Sequence, residues 1–133
     1  MNNWAKEMSS LMQSAKRLLA FDALDVQVGD LEYEVYVAHT QKQRANGLSG
    51  IRSLDLDGML FFYPKPSYVP FTMAAMEFDL DIGWYDADGT LLKRGTFQAG
   101  IQTPLTCPDA FTYVLEVPAG TLVEGDLKVN NDG

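Results

Sequence analysis

The feature that most constrains this chain is a change in the spacing of its apolar side chains near residue 22. Before that point Trp4, Met8, Leu11, Ala15 and Leu18 recur in alternating steps of four and three, which aligns them along one stripe of a helix. Met12 and Leu19 widen the stripe, while Lys6, Glu7, Gln13, Lys16 and Arg17 fall outside it. From residue 24 onward the period is two. Leu24, Val26 and Val28 alternate with polar residues up to Gly29-Asp30, and Leu31, Tyr33, Val35 and Val37 alternate beyond it. A period of two broken by a tight glycine turn predicts a β-hairpin with one wetted face. Residues 1–21 are therefore read as an amphipathic helix, either packed on its own domain or serving as a docking segment, and residues 24–133 as one β domain.

Local signals fill in that domain. In Thr40-Gln41-Lys42-Gln43 the threonine hydroxyl can accept the third-residue amide while Gln43 reaches back, and Gly47 follows as a stop. The pattern predicts a short helix over 41–46. Gly58 to Tyr63 reads as a buried strand closed by Pro64 and Pro66. Phe78 to Tyr85 and Thr90 to Phe97 flank Asp86-Ala87-Asp88-Gly89, a strong hairpin signal. Phe111 to Val117 alternates again, and Asp126 to Val129 can close the sheet. Many short strands with tight turns and few helices predict a mainly β fold, an antiparallel sandwich or barrel of jelly-roll-like form. A chain of 133 residues can bury about two thirds of its extended surface, enough for one core without disulfide staples.

Composition removes several classes of function. Ten basic against eighteen acidic residues leave a formal charge of −8, which argues against a protein that tracks a nucleic-acid backbone. The lone Cys107 permits no intramolecular disulfide and, with His39 as the one histidine, excludes the usual thiolate and imidazole zinc sites. No apolar run reaches the length of a membrane span. Ser9, Ser10, Gln13, Ser14, Lys16 and Arg17 interrupt the first segment, so it is not expected to be a secretory signal. The expectation is a cytoplasmic or virus-borne protein.

Four groups of residues bear on chemistry. Asp79 and Asp81 share one face of a strand, with Asp86 and Asp88 following across the turn. The latter pair resembles a fragment of a calcium loop without its remaining ligands, and a hairpin needs Asp-Gly without any metal, so no metal and no cofactor are assigned. His39 and Cys107 could meet as base and nucleophile, but a strand-end histidine and an ordinary small side chain are the simpler reading, and no catalytic residue is assigned. Lys42, Arg44 and Arg52 cluster in an otherwise acidic chain; Arg44 and Arg52 with Asp81 form a candidate ligand-binding set. Phe71, Met73 and Met76, behind the proline-rich stretch Pro64-Lys65-Pro66, suit either a core or an adaptable contact surface.

The order of these signals resembles a known family. Val35-Tyr36-Val37-Ala38-His39-Thr40, then Arg44, Gly47 and Leu48, then Gly58-Met59-Leu60-Phe61-Phe62 are similar to the family called domain of unknown function 192. So are Phe71-Thr72-Met73 with Leu80-Asp81-Ile82, the Asp86–Gly89 turn, Cys107-Pro108, Tyr113 to Gly120 and Glu124-Gly125-Asp126. The resemblance spans about residues 25–129. It implies a jelly-roll-like β fold and no established activity, in a family widespread in bacteria and archaea with members in bacterial viruses. Where that family carries a tryptophan and a Lys-Asn-Thr run, this chain has Thr72 and Ala74-Ala75-Met76, and Ser49 stands in place of a methionine. Loss of polar groups would harm a catalytic site more than a binding or building-block role.

The resulting expectation is a non-enzymatic interaction or assembly module, with a virion component as one form by analogy. It would dock to a protein partner or to copies of itself through Trp4, Met8, Leu11 and Leu18, or through Phe71, Met73 and Met76. The alternative is a small-ligand or carbohydrate-binding protein, or a weak hydrolase, using Asp81 with Arg44 or Arg52.

Overall fold

A computed structural model describes residues 3–130, the side chains of residues 3, 7, 10, 11 and 13–16 excepted. The elements run α1 (Asn3–Leu18), β1 (Asp22–Val28), β2 (Leu31–Ala38), α2 (Gln41–Asn46), β3 (Gly58–Ser67), β4 (Leu80–Tyr85), β5 (Leu91–Phe97), β6 (Phe111–Pro118) and β7 (Leu127–Val129). The fold is mainly β, as the period-two pattern requires. Its strands form one seven-stranded sheet in the order β5-β4-β6-β3-β2-β1-β7, curled into a half-barrel.

Gly29-Asp30 closes the β1–β2 hairpin, with Val28 paired to Leu31. Gly89 closes the β4–β5 turn at φ +85°, where a Cβ would lie 1.9 Å from the Leu127 carbonyl oxygen, so no other residue fits. The layout departs from the all-antiparallel expectation at one pairing: β2 and β3 are parallel, from Val35 opposite Gly58 to Ala38 opposite Phe61. Parallel neighbours need a crossover, and the segment carrying α2 supplies it. The ladder runs unbroken through all seven strands, a curled half-barrel rather than two separate sheets.

Both faces of the sheet are covered. One carries Met59 and Phe61 of β3, Leu80, Ile82 and Trp84 of β4 and Val114 of β6, and loops bring Leu48, Ile51, Met73, Leu105 and Cys107 onto it. The curl folds Val26, Val28 and Leu127 over Tyr85, Leu115 and Val117 on the other. Central strands therefore read apolar at successive positions rather than alternately, and every residue of β4 is buried.

The N-terminal helix is anchored at one end. Leu18 is buried in the first core, and the Arg17 guanidinium donates to the carbonyls of Asn46 (3.0 Å), Gly47 (2.9 Å) and Ser49. A cation thus meets the carbonyl end of α2, where the helix leaves acceptors unpaired. Trp4, Met8 and Met12 are exposed, whereas the side chain of Leu11 lies outside the described residues. No helix among the described residues is long and apolar enough to cross a membrane.

Candidate ligand-binding site

A cavity of about 400 Å³ opens between α2, β3, β6 and the 69–76 loop. The sequence builds each wall locally. The capping box forms as expected: Gln43 N–H donates to Thr40 Oγ1 (3.1 Å) and Thr40 N–H to Gln43 Oε1 (3.2 Å). Gly47 ends α2 at φ +47°, and a Cβ there would press the Phe61 ring at 3.1 Å, so the glycine lets α2 lie close against β3. Period-two alternation turns Phe61 and Tyr63 toward the same side. Phe71 is pinned opposite by a two-way backbone bridge to Leu105, both bonds 2.8 Å, and its ring meets Phe61 edge-on at 5.1 Å.

Glu116 lines this cavity from the centre of the sheet, paired across β6 with Met59 on one side and Ile82 on the other. Only 4% of it is exposed. Burial among apolar neighbours pushes its carboxyl up to about 8, so the neutral acid dominates at pH 7. Tyr63 feels the same surroundings: burial, opposed by the Arg44 charge and reinforced by Glu116, pushes its phenol up to about 12. Arg44 stacks over the Tyr63 ring, 4.9 Å from its centroid, and its Nη1 donates to the carbonyls of His39 (2.6 Å) and Phe62 (3.1 Å). The cavity therefore offers a fixed cation, a protonated phenol and a neutral carboxylic acid beside aromatic walls.

The candidate residues from sequence scatter around this site. Arg44 lines it, as do Phe71 and Met76. Arg52 lines a second cavity of about 580 Å³, together with Asp79. Asp81 lines neither of these two; its Oδ1 accepts from Thr96 Oγ1 (2.6 Å) and its Oδ2 from Gly120 N–H (2.9 Å) and Leu122 N–H (3.0 Å). Burial alone would raise the Asp81 carboxyl, but these hydrogen bonds outweigh it and hold its pKa below the ordinary value. Asp81, Arg44 and Arg52 are not gathered in one pocket. Met73 and Met76 are buried and Phe71 is half-buried, while Thr72, Ala74 and Ala75 between them are exposed. Thr72 and Met76 line the cavity, while Ala74 and Ala75 face solvent.

The remaining candidates find structural partners. Asp86 Oδ1 accepts from the amides of Asp88 and Thr90, 2.9 Å each, which shapes the hairpin turn. His39 faces Asp22 at 3.6 Å on the surface, and Cys107 is packed in the core. Sequence reasoning passed over Glu116 as a site residue. The alternation that starts at Phe111 gives way to Val114-Leu115 before Glu116 and Val117 after it, and that apolar run is the signal that a charged residue there has both faces covered.

The molecule is a mainly β domain, a curled sheet forming a half-barrel, with one buried carboxylic acid bordering a cavity on one of its faces. The model of the family called domain of unknown function 192 (Uncharacterized ACR) matches residues 24–132, and the chain belongs to that family. Two solved structures share the fold. One is a protein from Sinorhizobium meliloti 1021 described as a candidate transcription regulator: TM-score 0.75, 23% identity, covering 82% of this chain and 95% of that one. The other, of unknown function, is from Novosphingobium aromaticivorans DSM 12444: TM-score 0.72, 24% identity, covering 82% of this chain and 85% of that one. No curated protein matches the sequence.

Proposed function

We propose that this protein is a small-molecule-binding domain whose ligand occupies the cavity between α2, β3 and β6. The supporting observation is Glu116, a carboxyl that is almost wholly buried yet borders about 400 Å³ of open space. An apolar residue of similar size would serve the core better, because taking a carboxyl out of water is costly. Its placement makes sense when a ligand supplies the missing partner. The volume suits a ring-sized molecule, and one or two fixed polar groups among aromatic walls are the usual composition of such sites. A panel of small carboxylates, amides, amines and sugars tests this by thermal shift and amide NMR. A ligand at a hundredfold its dissociation constant adds about 2.7 kcal/mol, enough to raise Tm visibly. The expected outcome is a rise in Tm with perturbed Gly47, Leu48 and Phe71 resonances; a panel without effect on either readout removes the proposal.

A second reading, docking to a protein partner or another copy as part of a larger assembly, draws on α1. Trp4 is 72% and Met12 67% exposed on a helix held to the domain by Arg17 and Leu18. Replacing Trp4, Met8 and Met12 by alanine leaves both anchors in place. Light scattering before and after replacement tests self-association: a mass reduced by the substitutions supports it, and a monomer in both cases rules it out.

A further inference from the structure

Resting on the reading of the cavity as a ligand site, we infer that its ligand is an organic monocarboxylate with an apolar body. Arg44 receives the carboxylate and Phe61, Phe71 and Met76 the body, with Glu116 elsewhere on the same lining. The lining carries one fixed positive charge. Arg44 is held in place by the His39 and Phe62 carbonyls and by the Tyr63 ring, so little side-chain freedom is lost when it engages a ligand. Those carbonyls occupy Nη1, whereas a guanidinium has five N–H donors in a fork that matches a carboxylate.

Glu116 lines the same cavity and, in its neutral form, adds an O–H donor to that lining without a second negative charge. Tyr63 keeps its proton under the same conditions. A cationic ligand would meet Arg44 as a like charge. A bare inorganic anion would leave the Phe61–Phe71 wall unfilled. The apolar-bodied carboxylate alone uses both halves of the site.

The inference carries a pH dependence. The charged or titratable groups lining the cavity are Arg44 from α2, Tyr63 from β3 and Glu116 from β6; lining residues of the 48–49 and 69–76 segments are uncharged. Cross-strand neighbours Met59 and Ile82 are uncharged as well. When Glu116 ionises it stops donating and repels the ligand, so affinity falls as pH rises through its pKa.

The probes are phenylacetate, phenylacetamide and phenethylamine, of matched size, with inorganic phosphate as the bare anion, each titrated by calorimetry and amide NMR at up to millimolar concentration. Phenylacetate is expected to bind at least about tenfold more tightly than the others at pH 7, and Arg44→Gln to weaken it by a similar factor. From pH 7 to about pH 9.5 the wild-type affinity should drop on the order of tenfold, while Glu116→Gln, which keeps a donor but cannot ionise, holds its affinity across that range. Preference for the amide, the amine or phosphate overturns the ligand class and leaves the cavity reading standing. A pH-independent affinity overturns the role of Glu116. Failure of all four probes while another member of the wider panel raises Tm overturns the ligand class and leaves the cavity reading standing; failure of the whole panel overturns both.

Discussion

Asp81 on β4 and Glu116 on β6 are buried carboxyl groups on neighbouring strands. Asp81 directly precedes Ile82, the residue paired with Glu116, so the two acids point to opposite faces of the sheet. Around Asp81 the chain returns: the 119–122 turn delivers two backbone amides, and Thr96 adds a hydroxyl. Around Glu116 the chain delivers Met59, Ile82 and a cavity. Burial penalises both charges, yet the hydrogen bonds lower one pKa and nothing offsets the rise of the other. A fully satisfied carboxylate is a staple for the fold. A buried acid beside open space is the observation on which the ligand-binding proposal rests.

The contrast makes the two acids oppose one another in their effect on stability against pH. Burial pushes the Glu116 carboxyl from an ordinary 4.5 up to about 8, so between those values the folded state holds the extra proton. Its contribution to stability is lost with rising pH, by up to about 1.4 kcal/mol per unit, and levels off above the folded pKa. Asp81 does the reverse: its contribution is present above the unfolded pKa and is lost as pH falls through the lowered folded value. The largest expected effect is therefore at Glu116→Gln, which should be more stable than wild type by about 4 kcal/mol at pH 9 and by little at pH 4, read by urea unfolding. Equal stability at both pH values would erase the distinction.

Asp81→Ala should cost about 3 kcal/mol at pH 7 because Gly120 and Leu122 amides lose their acceptor. Protection of those amides from hydrogen exchange should fall with it; an unchanged exchange rate would show that the staple is not holding the turn. Thr96→Val removes one donor and should cost about 1 kcal/mol. The smallest effect should come from Arg44→Gln, a change of about 1 kcal/mol or less in unfolding free energy, because the side chain is partly exposed and sits at the cavity wall. A large loss there would turn Arg44 into a second staple.

The sequence carried the local half of this picture. Hairpins at Gly29-Asp30 and Asp86–Gly89, the capped α2 and the positions of seven strands all follow from neighbours a few residues apart. The parallel β2–β3 pair was also implied, since a helix between two strands is a crossover, though the strand-rich pattern around it favoured an antiparallel reading. β3 runs on to Ser67 beyond its first proline, with a register shift between Phe62 and Ser67 that accommodates the interruption. What could not be read was which acid the chain would satisfy. Asp81 finds partners about forty residues later, in a turn with no signal of its own; Glu116, flanked by Met59 of β3 and Ile82 of β4, faces the cavity instead. Pairing Asp81 with Arg44 treated them as one site, and the sheet separates them.

The most direct measurement is the titration of Glu116 itself, followed by the carboxyl carbon resonance of isotope-labelled glutamate and assigned with Glu116→Gln. The account predicts a midpoint near 8 and a further upward move when phenylacetate is bound. A midpoint near 4.5 would mean that water or a protein donor already satisfies the carboxyl, and Glu116 would then be one more structural acid like Asp81.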